Sequence, residues 1–225
     1  MGNLNYPLDN QSQVIIERAV DKFLAQKVFD ANLIEYFYYL TLFESLDGLG
    51  GATATTDTTF TGVVMATTSS SGNDQQVGRD LQHLDGTVTY TRTSKFRTAV
   101  LFNQSTSQEF FVGLGNGKVR PVDDIYGFEL INSTLRGITA NGTSETKVDL
   151  ITISSATQYS LEARFTPNES VIFLVDNKEV GVITTTLPTG LVATMPFYYL
   201  KTTTSATRQV DFGYFEYMQL RDNQT

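Results

Sequence analysis

The sequence predicts an all-β, antiparallel sandwich preceded by an N-terminal helix and arm. Three observations carry this. From about Phe60 onward, short apolar runs alternate with turn signals roughly every eight to twelve residues. Threonine, which suits a pleated half-solvated surface and disfavours helices, is abundant throughout. The one clear helical period is confined to the first thirty residues. A chain of 225 residues fits one large β core with an appendage.

The helix is expected from Asn10 to about Asp30. Pro7 lies ahead of it, Asp9 or Asn10 serves as N-cap, and Gln13 stands three residues after Asn10 in a capping-box spacing. Ile15, Ile16, Ala19, Val20, Phe23 and Leu24 share one arc, with Glu17, Arg18, Asp21 and Lys22 on much of the remainder. Such a stripe either packs on its own domain or serves as an anchor and oligomerisation surface, and these six residues are the interface candidates. Next, Tyr36–Phe43 is aromatic and β-branched, so a buried strand is expected over a helix. Its rings fill a core or a subunit interface more readily than they form a sugar platform. Gly48, Gly50 and Gly51 with the Thr-rich stretch after them mark the expected boundary, dividing an arm (1–50) from the sandwich (51–225).

Within the sandwich, Val63–Met65 leads into the turn cluster Ser69–Asp74. Strands are expected at Phe96–Phe102, Phe110–Leu114, Phe128–Ile131 and Leu135–Ala140, and Asn141-Gly142 signals a two-residue hairpin. Tyr159, Leu161, Ala163 and Phe165 alternate with Ser160, Glu162 and Arg164, the mark of a strand with one wet face. Val171–Val175 is apolar at every position, and Asp176-Asn177 offers the type I′ turn joining it to Lys178–Val182. Pro196–Leu200 and Val210–Leu220 complete the set.

Composition removes several functions. The chain has no cysteine, which excludes disulfides, zinc–thiolate sites and a thiol nucleophile. His83 is the one histidine, so a two-histidine metal site is impossible. A net charge of −8 has the wrong sign for a nucleic-acid binder. No apolar run is long enough to span a bilayer. The N-terminus has neither a basic nor an apolar leader segment, so no secretory signal is expected. Six Asn-x-Ser/Thr triplets occur, at Asn10, Asn103, Asn132, Asn141, Asn168 and Asn223, where about half as many arise by chance, so they carry little weight.

Several stretches, taken in order, resemble a known family. They are Phe110–Leu114, Gly127-Phe128-Glu129, Leu135–Gly142, Tyr159–Phe165, Val171–Val180, Leu187-Pro188, Pro196–Tyr199 and Val210–Phe215. Together they resemble the concanavalin A-like (laminin-G/jelly-roll) sandwich modules of tailed-bacteriophage virion structural proteins. Asn177 stands where that family's hairpin usually has glycine, and Val210-Asp211-Phe212 looks like its closing strand. The resemblance implies an antiparallel concanavalin A-like jelly roll. For function it implies a non-enzymatic virion structural protein, a capsid decoration, cement or head-fibre-type protein anchored by its N-terminal segment and assembled in the host cytoplasm. Implied partners are a major capsid or tail protein and further copies of the chain, with a trimer as the expected state. The alternative is a carbohydrate-binding adhesion module of a tail fibre or spike.

The residues contain no catalytic set. Hydrolytic members of the superfamily carry an E-x-D-x-E strand, whose alternate acids share one cleft; no such run exists here. Glu145 and Asp149 could share a face without a third acid, Asp123 and Asp124 point oppositely within a strand, and Asp211 and Glu216 are five apart and mismatched in the same way. Lyase chemistry would need Tyr or His with Arg and an amide on one concave face, and His83 lies in a polar turn-like segment. No G-x-S-x-G elbow or EF-hand-like run is present; a calcium site drawn from separate loops (Asn73-Asp74, Asp123-Asp124, Asp176-Asn177) stays open. No cofactor or metal is expected. Lys95 and Arg97 share one strand face, most simply a solvated one. Glycan contact would need an exposed ring, for which Tyr126, Tyr198 and Tyr199 are the candidates, each also suited to core or rim packing.

Deleting residues 1–30 is expected to leave a folded sandwich that no longer joins its particle or oligomer. A circular-dichroism melt of the truncated chain should retain a cooperative transition.

Overall fold

The computed structural model describes residues 36–42, 55–57, 62–66, 74–78, 89–115, 124–189 and 195–220. The expected helix at 10–30 with its six interface candidates, the Arg79–Asp85 segment containing His83, and Asp123 lie outside the described residues. Tyr36–Arg221 forms one compact unit.

Fourteen strands are described: β1 (Tyr36–Leu42), β2 (Thr55–Asp57), β3 (Gly62–Ala66), β4 (Asp74–Gly78), β5 (Ser94–Phe102), β6 (Gln108–Gly115), β7 (Asp124–Ile131), β8 (Thr134–Asn141), β9 (Glu145–Thr152), β10 (Thr157–Thr166), β11 (Ser170–Val175), β12 (Lys178–Ile183), β13 (Met195–Thr202) and β14 (Gln209–Leu220). They form two antiparallel sheets. The larger runs β12-β11-β10-β5-β14-β3-β2, with β1 also on β14; the smaller runs β4-β13-β6-β7-β8-β9. This is the sandwich expected from the spacing of the turns, in the jelly-roll form that the family resemblance implies. The larger sheet's centre pairs chain-distant strands, so β5 lies between β10 and β14.

Period-two alternation places the core. On the larger sheet Phe96, Val100, Phe102, Leu161, Ala163, Phe165, Phe173, Phe212, Phe215 and Tyr217 face inward; on the smaller sheet Phe110, Val112, Tyr126, Phe128, Leu130 and Leu200 do so. Rings interleave across the gap. Phe96 stacks on Phe215 with centroids 5.3 Å apart and meets Phe128 edge-on at 6.1 Å, and Phe128 meets Phe173 at 5.3 Å. Tyr198 meets Phe212 at 4.3 Å. Such pairs contribute about 0.5–1.5 kcal/mol each beyond burial. Gly137 makes room for this layer, since a Cβ there would collide with the Phe173 ring.

Two turns differ from expectation. The tight hairpin of the smaller sheet is Asn132-Ser133, both at positive φ (49° and 65°), joining β7 to β8 in two residues. Asn141-Gly142 instead opens a wider loop, because the Asn141 side-chain carbonyl accepts from the amides of Thr143 and Ser144 at 3.2 and 3.1 Å. β9, which follows, is an edge strand whose residues are exposed or half-buried, so it offers little apolar signal. Asp176-Asn177 forms its expected turn, with φ of 50° and 66°.

The strand expected at Tyr36–Phe43 is present as β1. It lies within the stretch assigned to the arm, yet pairs with β14 from Tyr36↔Leu220 to Leu42↔Tyr214. The boundary drawn at the glycines therefore has a strand of the larger sheet on its N-terminal side. Glycine content marks a turn, and cannot tell a turn between strands from one between units. β14 thus shares one edge between two partners, β3 along Gln209–Phe212 and β1 along Tyr214–Leu220.

The polar tie between layers is Ser94. Its hydroxyl shares a 2.9 Å hydrogen bond with the Tyr126 hydroxyl, and the Tyr217 phenol lies close to this pair. Burial pushes the proton affinity of both phenols well above the ordinary tyrosine value, and their mutual proximity raises Tyr126 further; the nearby Ser94 hydroxyl partly offsets both. In the unfolded chain these tyrosines ionise near pH ~10, whereas the native state holds their protons to higher pH. The stabilisation is therefore complete below about pH 10 and is lost as pH rises beyond it, by up to about 1.4 kcal/mol per pH unit per group. Urea midpoints should be level between about pH 7 and 9 and fall steeply above pH ~10, and Tyr126→Phe should flatten that fall.

Candidate functional site

With inward positions filled by core, chemistry is left to the two outward sheet faces. On the larger sheet, three central strands place Glu216, Arg97 and Glu162 in one register row: Glu216↔Arg97 between β14 and β5, Arg97↔Glu162 between β5 and β10. All three are half-buried. Arg97 Nε donates to Ser160 Oγ at 3.1 Å and its Nη2 to Asn177 Oδ1 at 2.7 Å. The hairpin turn that presents Asn177 is itself held by Asp176, whose carboxylate accepts the Ser160 amide at 2.9 Å. Glu162 accepts from Arg164 Nε at 2.6 Å.

A β-bulge brings in a further residue. Phe212 pairs with Val100 and Phe215 with Thr98, so Gly213 and Tyr214 together oppose Ala99 alone. The Thr98 hydroxyl donates to the Tyr214 carbonyl at 2.6 Å and holds the bulge. The Tyr214 phenol lies close to Ser160, which stands on β10 in register with Ala99. The side chain therefore crosses β5 above Ala99, the small residue that leaves room for it. Partial burial raises the Tyr214 pKa, an effect that Arg97 and the nearby Ser160 hydroxyl oppose and that Glu216 and Glu162 reinforce.

The bulge also corrects the expected mismatch of Asp211 and Glu216. The extra residue resets the alternation, so Asp211 in register with Leu101 and Glu216 in register with Arg97 share the outward side. They remain about 13 Å apart along the strand direction (four pairs at ~3.3 Å each), too far to act as a carboxylate pair. Asp211 is buried and structural. Its carboxylate accepts from Asn103 Nδ2 at 3.1 and 3.2 Å and from Gln209 Nε2 at 2.9 Å.

The smaller sheet's outward face is organised differently. Phe111, Ile125, Ile138 and Ala140 form a second buried apolar cluster, with Tyr199 packed against it. Gly113 and Gly127 oppose each other in register, and a Cβ on either would strike the facing backbone; the Phe111 ring lies close over Gly113. Glu129, fully buried, receives Lys147 Nζ at 3.2 Å, and the same ammonium contacts Glu145 at 2.9 Å. Arg136 Nε meets Asp149 at 2.7 Å. Glu145 and Asp149 do share a face, and each faces a cation there. Among the described residues no group of three or more His, Cys, Asp or Glu could hold a metal ion.

The glycan-contact candidates separate cleanly. Tyr126 and Tyr198 are corrected to core residues, 0% and 2% exposed, because both stand at inward positions of their strands. Tyr199 is outward and half-buried on the second cluster. Tyr214 is not among the sequence candidates, and Glu216 enters there only as half of an acid pair with Asp211. Their signal was Gly213 inside an apolar strand, a pattern that marks bulges; without the register shift, simple alternation misassigns everything on one side of it.

No protein-family description matches the chain, and no curated protein sequence resembles it. Solved structures do share its fold. A protein of unknown function, SO2946 from Shewanella oneidensis MR-1, is 11% identical with a TM-score of 0.61, covering 87% of this chain and 93% of that one. The Emp47p carbohydrate recognition domain is 9% identical with a TM-score of 0.59, covering 80% and 93%. Alginate lyase A1-II′, of polysaccharide lyase family 7, is 11% identical with a TM-score of 0.55, covering 75% and 84%. The chain has the concanavalin A-like jelly-roll fold.

Lys147→Met should remove the ammonium facing buried Glu129 while keeping the aliphatic stem, at a cost of about 1–3 kcal/mol. Adding Glu129→Gln should recover part of that loss. Urea denaturation of the two variants measures both effects.

Proposed function

We propose that this chain is a non-enzymatic structural protein of a bacteriophage virion: a capsid decoration or cement protein, or a head-fibre-type protein, held on the particle by its N-terminal segment with the sandwich displayed outward. One observation carries the reading. The stretches that resemble phage sandwich modules fall, in order, on β6, β7, β8, β10, β11, β12, β13 and β14, apart from Leu187-Pro188, which lies between β12 and β13. The engagement of charged groups supports the non-enzymatic part: Arg136 with Asp149, Lys147 with Glu129 and Glu145, and Arg164 with Glu162 hold neighbouring positions together. Its partners on this reading are a major capsid or tail protein and other copies of the chain, in a homo-oligomer proposed as a trimer.

A second reading, carbohydrate-binding adhesion on a fibre or spike, is favoured by the outward face of the larger sheet. There a tyrosine, a guanidinium, an amide and a carboxylate stand together at half-buried or exposed positions. The fold is also that of a carbohydrate recognition domain.

Immunogold labelling of particles released by a host carrying this gene should place the chain on heads or tails. Unlabelled particles, with the protein left in the soluble lysate, would overturn the virion reading. Incubation with alginate should produce no ultraviolet absorbance from unsaturated uronate ends; a protein-dependent rise would refute the non-enzymatic part.

A further inference from the structure

We infer that the bulge on β14 builds a subsite for an uncharged hexopyranose, with Tyr214 as the stacking ring and Glu216, Arg97 and Asn177 as its polar contacts. The inference rests on the adhesion reading and names the site that reading lacks.

A ring that runs across a sheet, rather than standing up from it, offers a flat apolar surface. Tyr214 does this because its phenol reaches toward Ser160 two strands away, crossing β5 at the level of the small Ala99. The carbon-bound hydrogens on one side of a pyranose fit such a surface, while its rim of hydroxyls needs both acceptors and donors. The acceptor is Glu216, which makes no hydrogen bond or ion pair among the described residues and stands two residues from Tyr214 on the same strand. The donors come from Arg97, whose Nη1 has no partner among the described residues, and from the Asn177 amide nitrogen; the Asn177 carbonyl is already taken by Arg97.

Charge selects the class of sugar. Around Tyr214 the cations Lys95, Arg97 and Arg164 are matched by the carboxylates Glu162, Asp176 and Glu216. A balanced surface gives no net pull on a uronate or sialate, and Glu216 beside the ring would repel a sugar carboxylate. A neutral hexose with adjacent hydroxyls can bridge a carboxylate and a guanidinium without that penalty.

The test is calorimetric titration of the full chain with the methyl glycosides of glucose, galactose and mannose, and with an alginate oligomer as the acidic comparison. One or more neutral glycosides should bind and the alginate oligomer should not. Tyr214→Ala should weaken binding roughly tenfold, whereas Tyr214→Phe, which keeps the ring, should stay within about threefold. Glu216→Gln is nearly isosteric and should weaken binding several-fold without moving the thermal midpoint. Tyr199→Ala, on the opposite sheet, should change nothing. Binding that survives both Tyr214→Ala and Glu216→Gln, or that depends on Tyr199, would overturn this site while leaving adhesion standing. Tighter binding of alginate than of the neutral glycosides would overturn the assignment of sugar class. No binding by any of the four probes would overturn the adhesion reading together with the site.

Discussion

The structure depends on the interleaving of large aromatic rings between two sheets packed face to face. Phe96, Phe128, Phe173 and Phe215 contact one another across the layer, and each occupies an inward position of a strand whose next residue points outward. Once those rings are buried, the side of the sheet on which every neighbouring residue lies is determined by a period of two. Tolerance within the layer is low. Gly137 faces Phe173 where no other side chain fits, and the Tyr126 hydroxyl inside the layer is bonded by Ser94.

The two outward faces serve different ends because their packing differs. The smaller sheet carries a second apolar cluster and a fully buried carboxylate, whose charge Lys147 faces at 3.2 Å. Its cross-strand ion pairs order the sheet. The larger sheet keeps half-buried polar groups at its centre, where three strands from distant parts of the chain bring Arg97, Ser160 and Tyr214 together. The strand order creates that meeting point, since β5, β10 and β14 are neighbours in space and far apart in the chain. Fold similarity to a carbohydrate recognition domain and to a polysaccharide lyase shows that such sandwiches support different activities. The particular side chains, rather than the architecture, therefore carry the argument about function.

Strands with strong alternation were legible from composition alone. Tyr159, Leu161, Ala163 and Phe165 point inward as their spacing requires, and Asp176-Asn177 turns as its residue types require, because both effects act over a few neighbouring residues. β9 was illegible, since an edge strand faced by solvent needs little apolar content. The glycine-rich stretch after β1 was read as a division between units because turns and linkers share a composition.

What the sequence determined by itself is the all-β class, the short strands separated by turns and the exclusion of thiol and two-histidine chemistry, all of which follow from residue type and local period. The tertiary structure alone decided that Tyr126 and Tyr198 are core, that Asp211 and Glu216 share a side, and that Tyr214 lies over Ala99 against Ser160. Those outcomes turn on which strands become neighbours and on one extra residue in a bulge. Both are settled by long-range packing, which a local pattern of residues does not encode.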